Sequence, residues 1–193
     1  SRLYKKNAPN KYDLMIILSG PEPQRTLLEE KLIVELKKSK DQILFIKGIV
    51  ESEQKTEEVK NITYYNFMTS EQIETAFNES DKILARSGYT TVMDLAQLEK
   101  KAFFIPTPGQ YEQEYLAKKF KKEGIAPSCK QENFELSKRY IFIFSLRKYV
   151  CGDYIIAILT TENTEHGIHN PPKNQPAAGC LLLLLCTCII VPL

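Results

Sequence analysis

Cysteine is missing from the first 128 residues of this 193-residue chain, and four of its five cysteines fall after residue 150. The main body therefore has no disulfide framework and fits a reducing compartment, so a cytoplasmic location is expected. A strong charge of either sign is also missing. Lys and Arg number 26, Asp and Glu 24, for a net charge of +2. That balance gives no broad electrostatic footprint for nucleic acid. The N-terminus has no signal-peptide pattern, and it starts Ser1-Arg2-Leu3 without Met, so the chain is expected to be a piece of a longer polypeptide. The terminal apolar run "CLLLLLCTCIIVPL" has fourteen residues, short of the ~20 a spanning helix needs. No P-loop or GxGxxG is present. What remains, 43% apolar and 26% charged residues, is ordinary for one folded domain with a core.

From residue 12 to about 136 apolar strands alternate with amphipathic helices. "YDLMIILSG" is a continuous apolar run closed by Gly, as in a strand buried on both faces. "PQRTLLEEKLIVELKK" repeats Leu at 28, 32 and 36, with Glu29-Glu30 early and Lys37-Lys38 late, matching a helix dipole. "QILFIKG" and "ITYYNF" read as strands, with the polar "ESEQKTEEVK" between them as a surface loop. "TSEQIETAFNES" reads as a helix capped by Thr69 or Ser70. "KILAR", "TTVMDLAQLEK", "KAFFIP", "YEQEYLAKKFKKEG" and "IAPSC" continue the alternation. Such alternation predicts an α/β fold, a doubly wound parallel sheet with helices on both faces. The expected domain is residues 1–137. Residues 138–193 are read as a divergent apolar tail, foreign to the domain design or, alternatively, a tail anchor.

In an open parallel sheet ligands bind outside the carboxyl ends of the strands. Three loops are expected there. In "SGPEPQRT", Gly20 precedes a helix start suited to phosphate, and Arg25 can add a bidentate contact; a stiff turn with a solvated Arg is the plain alternative. In "RSGYTTVMDL", Ser87, Gly88 and Thr91 can meet phosphate oxygens, while Asp94, three residues after Thr91, can accept two hydrogen bonds from a vicinal diol. A capped helix with a spare carboxylate explains the same letters. In "PTPGQYEQEYLA", Gln110, Gln113 and Glu114 can grip sugar hydroxyls or simply start a helix. Together the loops offer an anion seat, a diol reader and a polyhydroxyl reader, which sums to a nucleotide-sugar site.

The motifs "LSGPEPQRT", "SDKILARSGYTTVMDL" and "FIPTPGQYEQEYLA", in that order, resemble the C-terminal, donor-binding domain of GT-B glycosyltransferases of family 28. The resemblance covers Asp13 to Leu136. That group includes the enzyme that adds N-acetylglucosamine to the lipid-linked peptidoglycan precursor. The resemblance implies a Rossmann-like half of a GT-B fold and inverting transfer from a UDP-sugar to an acceptor hydroxyl. It implies Asp94 on the ribose (the family usually has Glu), Gly20, Arg25, Ser87, Gly88 and Thr91 by the diphosphate, and Gln113 and Glu114 near the sugar. The loop of Phe67 and Met68 would wall the base. It implies no cofactor and no metal, in keeping with the absence of a DxD motif. The acceptor-binding half is expected to lie outside this chain, so the partners expected are a nucleotide sugar and that missing domain or subunit. A non-catalytic subunit of a split glycosyltransferase and a nucleotide-sugar 2-epimerase are the alternatives. The epimerase needs a histidine in the cleft, and the only histidines are His166 and His169 in the tail.

Two further features carry less. His166, His169, Cys180, Cys186 and Cys188 match no standard zinc spacing. Lys118, Lys119, Lys121 and Lys122 form a basic helix end, either a solvated face or a contact to a membrane surface carrying a lipid-linked acceptor.

Overall fold

The computed structural model describes residues 3–135. Their elements in chain order are β1 (Tyr12–Ile17), α1 (Gln24–Leu36), β2 (Ile43–Ile46), β3 (Thr56–Val59), β4 (Ile62–Tyr65), α2 (Ser70–Asn78), β5 (Ser80–Ala85), α3 (Tyr89–Gln97), β6 (Lys101–Phe104), α4 (Tyr111–Lys122) and a 3-10 turn at Gln131–Asn133. The six strands form one sheet in the order β3-β4-β2-β1-β5-β6. Every pairing is parallel except β3 with β4. The expected doubly wound sheet is thus present, with an antiparallel edge added.

Alternation along the strands divides the core in two. Leu14, Ile16 and Leu18 pack with Leu28, Leu32 and Leu36 of α1, and with Phe134, on one face. Met15, Ile83, Ala85 and Phe104 pack on the other with Phe77 of α2, Val92 and Leu95 of α3, and Leu116 and Phe120 of α4. The four-residue leucine spacing therefore does place one stripe of α1 on the sheet. Each fully buried Leu, Ile or Phe contributes about 1.5–3 kcal/mol by leaving water.

Three expectations change. Residues 51–60 are not all loop: Thr56–Val59 pairs antiparallel with β4 through the two-residue turn Lys60-Asn61, where Lys60 takes φ 58°. All four residues of β3 are exposed, so no hydrophobic alternation marked the strand. "IAPSC" gives only a single bridge, Phe104 to Ser128, because Pro127 has no N–H to extend a ladder. Helix α1 ends at Leu36 with no acid in its first turn and no base in its last. The dipole matching belongs instead to α4, with Glu112 and Glu114 first and Lys119, Lys121 and Lys122 last.

The strand order makes β1 the turning point. Helix α1 carries the chain from β1 to β2 on one face, while α3 carries it from β5 to β6 on the other. The crevice at the carboxyl ends of β1 and β5 is therefore a topological switch point. Gly48 guards its wall. It takes φ +70°, and a Cβ there would lie 2.2 Å from the Leu18 carbonyl oxygen. Gly48→Ala is expected to lower stability by about 2–3 kcal/mol through backbone strain and overpacking, read as a lower denaturant midpoint. Relief of the clash would push on Leu18, and so on the turn at Ser19-Gly20 that follows it.

Candidate functional site

The loops after β1, β5 and β6 meet at this edge. Gly20 takes φ +105°, and a Cβ there would sit 3.2 Å from Thr107 Oγ1. Only glycine adopts that backbone without strain, so the first loop can lie directly on the third. Ser87 Oγ donates to the Gln113 carbonyl at 2.7 Å, which joins the second loop to α4. Gln113 Oε1 accepts from the Thr107 backbone N–H at 2.9 Å, and its Nε2 donates to Gln110 Oε1. Glu114 Oε1 accepts from the Gly109 N–H at 2.9 Å. Four of the residues expected to grip a ligand are thus engaged within the fold: Ser87 joins the second loop to the third, while Gln110, Gln113 and Glu114 brace the third loop from within.

Arg25 is likewise committed. Its Nη1 lies 2.8 Å from Glu29 Oε2 and its Nε 2.7 Å from Glu22 Oε1. Burial alone would lower its pKa, but its bonds to Glu29 and Glu22 outweigh that and hold the guanidinium above its ordinary value. Where the sequence suggested an external anion for Arg25, the structure supplies anions from its own neighbours, Glu22 and Glu29. Glu22 also accepts from the Thr26 N–H at 3.2 Å, so a carboxylate already sits at the start of α1. The Thr26 hydroxyl and Arg25 hold the Glu22 carboxyl below the usual range.

The start of α3 is different. Its N-cap is Gly88, with no side-chain cap, and a Cβ at Gly88 would meet nothing within 4 Å. The first-turn N–H groups, at the positive end of the helix dipole, thus have no side-chain cap. Thr91 and Asp94 follow on one face of α3, both partly buried, and neither side chain bonds to a described residue. Among the expected site residues whose side chains can hydrogen-bond, Thr91 and Asp94 are the two that bond to no described residue.

Met68 lies after β4 on the same edge, three strand positions from β5 or about 14 Å across. It packs against the apolar cluster that includes Phe77 and Leu95. Beside it the Phe67 carbonyl accepts from Gln54 Nε2 at 2.8 Å and the Phe67 N–H donates to Asn66 Oδ1 at 3.0 Å. Thr69 forms a capping box with Gln72 at the start of α2. Gln72 in turn holds Gln54, so the 66–69 turn is stiffened from two sides.

Sequence reasoning missed Arg86, Glu22 and Gln131. Arg86 is 1% exposed and reaches all three loops. The signal was available, a cation directly after the apolar run "KILA", but its burial was not. Two grooves are formed among the described residues, the first away from the edge and the second starting at the third loop, on Pro106, Pro108 and Glu114. One of about 440 Å³ runs between α1 and the β3–β4 hairpin, past Ile33, Val59 and Tyr64. Another of about 380 Å³ runs under α4, past Lys118, Lys121 and Cys129. Among the described residues no three His, Cys, Asp or Glu side chains gather as metal ligands, and no helix is long and apolar enough to cross a membrane. The tail histidines and cysteines lie outside the described residues.

Residues 22–139 match the model of the glycosyltransferase family 28 C-terminal domain. No curated protein matches the sequence. Among solved structures, the chain is similar to MurG of Acinetobacter baumannii, at 20% identity and TM-score 0.47, over 84% of this chain and 43% of that one. It is similar to the glycosyltransferase of kitacinnamycin at 14% identity and TM-score 0.51, over 70% of this chain and 34% of that one. It is similar to ALG13 at 12% identity and TM-score 0.56, over 80% of this chain and 98% of that one. The chain thus spans less than half the length of the first two structures and nearly all of the third. At these identities the likeness shows the fold.

Proposed function

Because the chain belongs to the family of glycosyltransferase 28 C-terminal domains, we propose that residues 3–135 bind the donor of a sugar transfer, a UDP-sugar, at the edge formed by α3. The observation that carries this reading is the open start of α3. Uncapped amides, Thr91, and an Asp94 that bonds to no described residue follow one another there, an order that suits a diphosphate and then a ribose. The amides and the dipole would stabilise the departing nucleoside diphosphate as charge develops on it. Asp94 would accept hydrogen bonds from both ribose hydroxyls. Gln113 and Glu114 would hold the turn that meets the sugar. Transfer would be a direct displacement at the anomeric carbon by an acceptor hydroxyl, with inversion. The described residues contain no histidine. We assign the acceptor site and the base that takes the hydroxyl proton to a domain or subunit outside them. Contact of the lysine-rich end of α4 with a membrane surface belongs to the same proposal.

Calorimetric titration of the full chain tests it. UDP should bind with one site per chain and more tightly than uridine, GDP or dTDP. A folded chain that binds no nucleotide diphosphate would overturn the reading.

A further inference from the structure

The site has a charge that no carboxylate among the described residues balances. Arg86 ends the β5 run at the switch point and is enclosed by three turns. Its Nη1 donates to the carbonyl oxygens of Ile105 at 3.2 Å and Pro106 at 3.1 Å. Its Nη2 donates to the Gln24 carbonyl at 2.9 Å and to Gln131 Oε1 at 2.8 Å. All four acceptors are neutral. Arg25, the other buried arginine, sits between Glu22 and Glu29. Arg86 has no such carboxylate among the described residues, and its Nε has no hydrogen-bond partner there. Burial pushes its pKa down to about 10, so it remains protonated at neutral pH.

A buried, unpaired guanidinium is costly to the fold, and neutral amides fasten turns at less expense. Here the cation ties together the turns that carry Gly20, Gly88 and Thr107. A charge in such a place is screened by little water on the protein side, so its field reaches the crevice more strongly than a surface lysine's would.

We propose that Arg86 is a positioning residue whose counter-ion is the ligand. It holds the three turns by neutral acceptors and leaves its positive charge for the diphosphate of the donor, without touching it. Glu22 and Glu29 fix Arg25 for the fold, while Arg86 is kept unpaired for binding. This rests on the donor-site reading above.

Gln131 makes the charge testable without removing Arg86. Its carboxamide oxygen accepts from Arg86, so Gln131→Glu puts a carboxylate at the same distance and completes an ion pair. The readout is the ratio of UDP to uridine affinity, measured on the full chain. Gln131→Glu should fold with an unchanged or higher melting temperature, yet lose at least about tenfold in UDP affinity, the scale for unit charges about 10 Å apart in a protein. Uridine affinity should stay within about threefold. Gln131→Met, which loses the acceptor and adds no charge, should keep the wild-type ratio. Arg86→Lys should be less stable but should also keep the ratio, since the charge survives; it decides the matter if glutamate at 131 prevents folding. A wild-type ratio in Gln131→Glu, or a lost ratio in a folded Arg86→Lys, overturns the assignment. If the wild type itself binds UDP no better than uridine, the donor-site reading falls and this inference with it. If the wild type discriminates and Gln131→Glu does too, only the role of Arg86 falls.

Discussion

Asp94→Ala is expected to weaken UDP binding by about 10- to 100-fold, the value of charge-assisted hydrogen bonds to a diol. The fold should hardly notice. Asp94 is partly buried but bonds to no described residue, so its loss leaves no orphaned donor. Surface changes of that kind stay within about 0.5 kcal/mol. The side chain stands one turn into α3 on the face of Thr91, beyond the uncapped amides at Gly88. A carboxylate placed there with nothing to hold is suited to an external hydroxyl pair. The ribose assignment adds a sharper expectation. Wild type should prefer UDP to 2′-deoxy-UDP, and Asp94→Ala should bind the two alike. A variant that kept the preference would place the ribose elsewhere. Calorimetry with both nucleotides, alongside thermal denaturation, measures each part.

Phe104→Ala is expected to cost about 3–5 kcal/mol of stability, as for other buried aromatic truncations. Phe104 is fully buried at the end of β6, with its ring centroid 6.1 Å from that of Phe120 on α4. Its backbone is equally placed. Its N–H donates to Pro127 O at 3.0 Å, and its carbonyl accepts from the Cys129 N–H at 3.2 Å. The residue therefore closes the sheet edge and launches the loop that carries Thr107. The cavity would open between α4 and β6, where helix and strand cannot collapse without moving that loop. Chemical denaturation with a two-state fit measures the loss. A loss under 1 kcal/mol would mean that α4 is not anchored through this ring.

Much of the architecture was legible because it rests on periodicity. The leucines at 28, 32 and 36 and the apolar runs at 12–18, 43–46 and 80–85 fix one face or two, which gave the layered parallel sheet but not its strand order. The β3 strand was illegible because it is paired by its backbone while its side chains face water on both sides. At the site, the sequence showed which polar residues reach the edge, but not what they bond. Ser87 and Gln113 were placed on the same edge, and there the Ser87 hydroxyl bonds across to the Gln113 carbonyl at the start of α4. Arg25 was read as a seat for an anion because its carboxylates, Glu22 and Glu29, are near in sequence but only the folded turn shows them both in reach. Arg86 was hidden for the opposite reason, since every one of its acceptors except Gln131 is a main-chain carbonyl, which no side-chain letter reports.

The fastening of the three turns has a thermodynamic consequence. Loops that are ordered only by their ligand lose backbone and side-chain entropy at the moment of association, and that loss subtracts from affinity. Here Arg86, Ser87 and Gln113 impose the order during folding. A donor entering, and a nucleotide leaving, would meet the same arrangement of amides each time. Exchange would then be governed by the few contacts on the open side of α3 and not by loop reorganisation, and a binding enthalpy measured there would report on those contacts with little contribution from the chain rearranging around them.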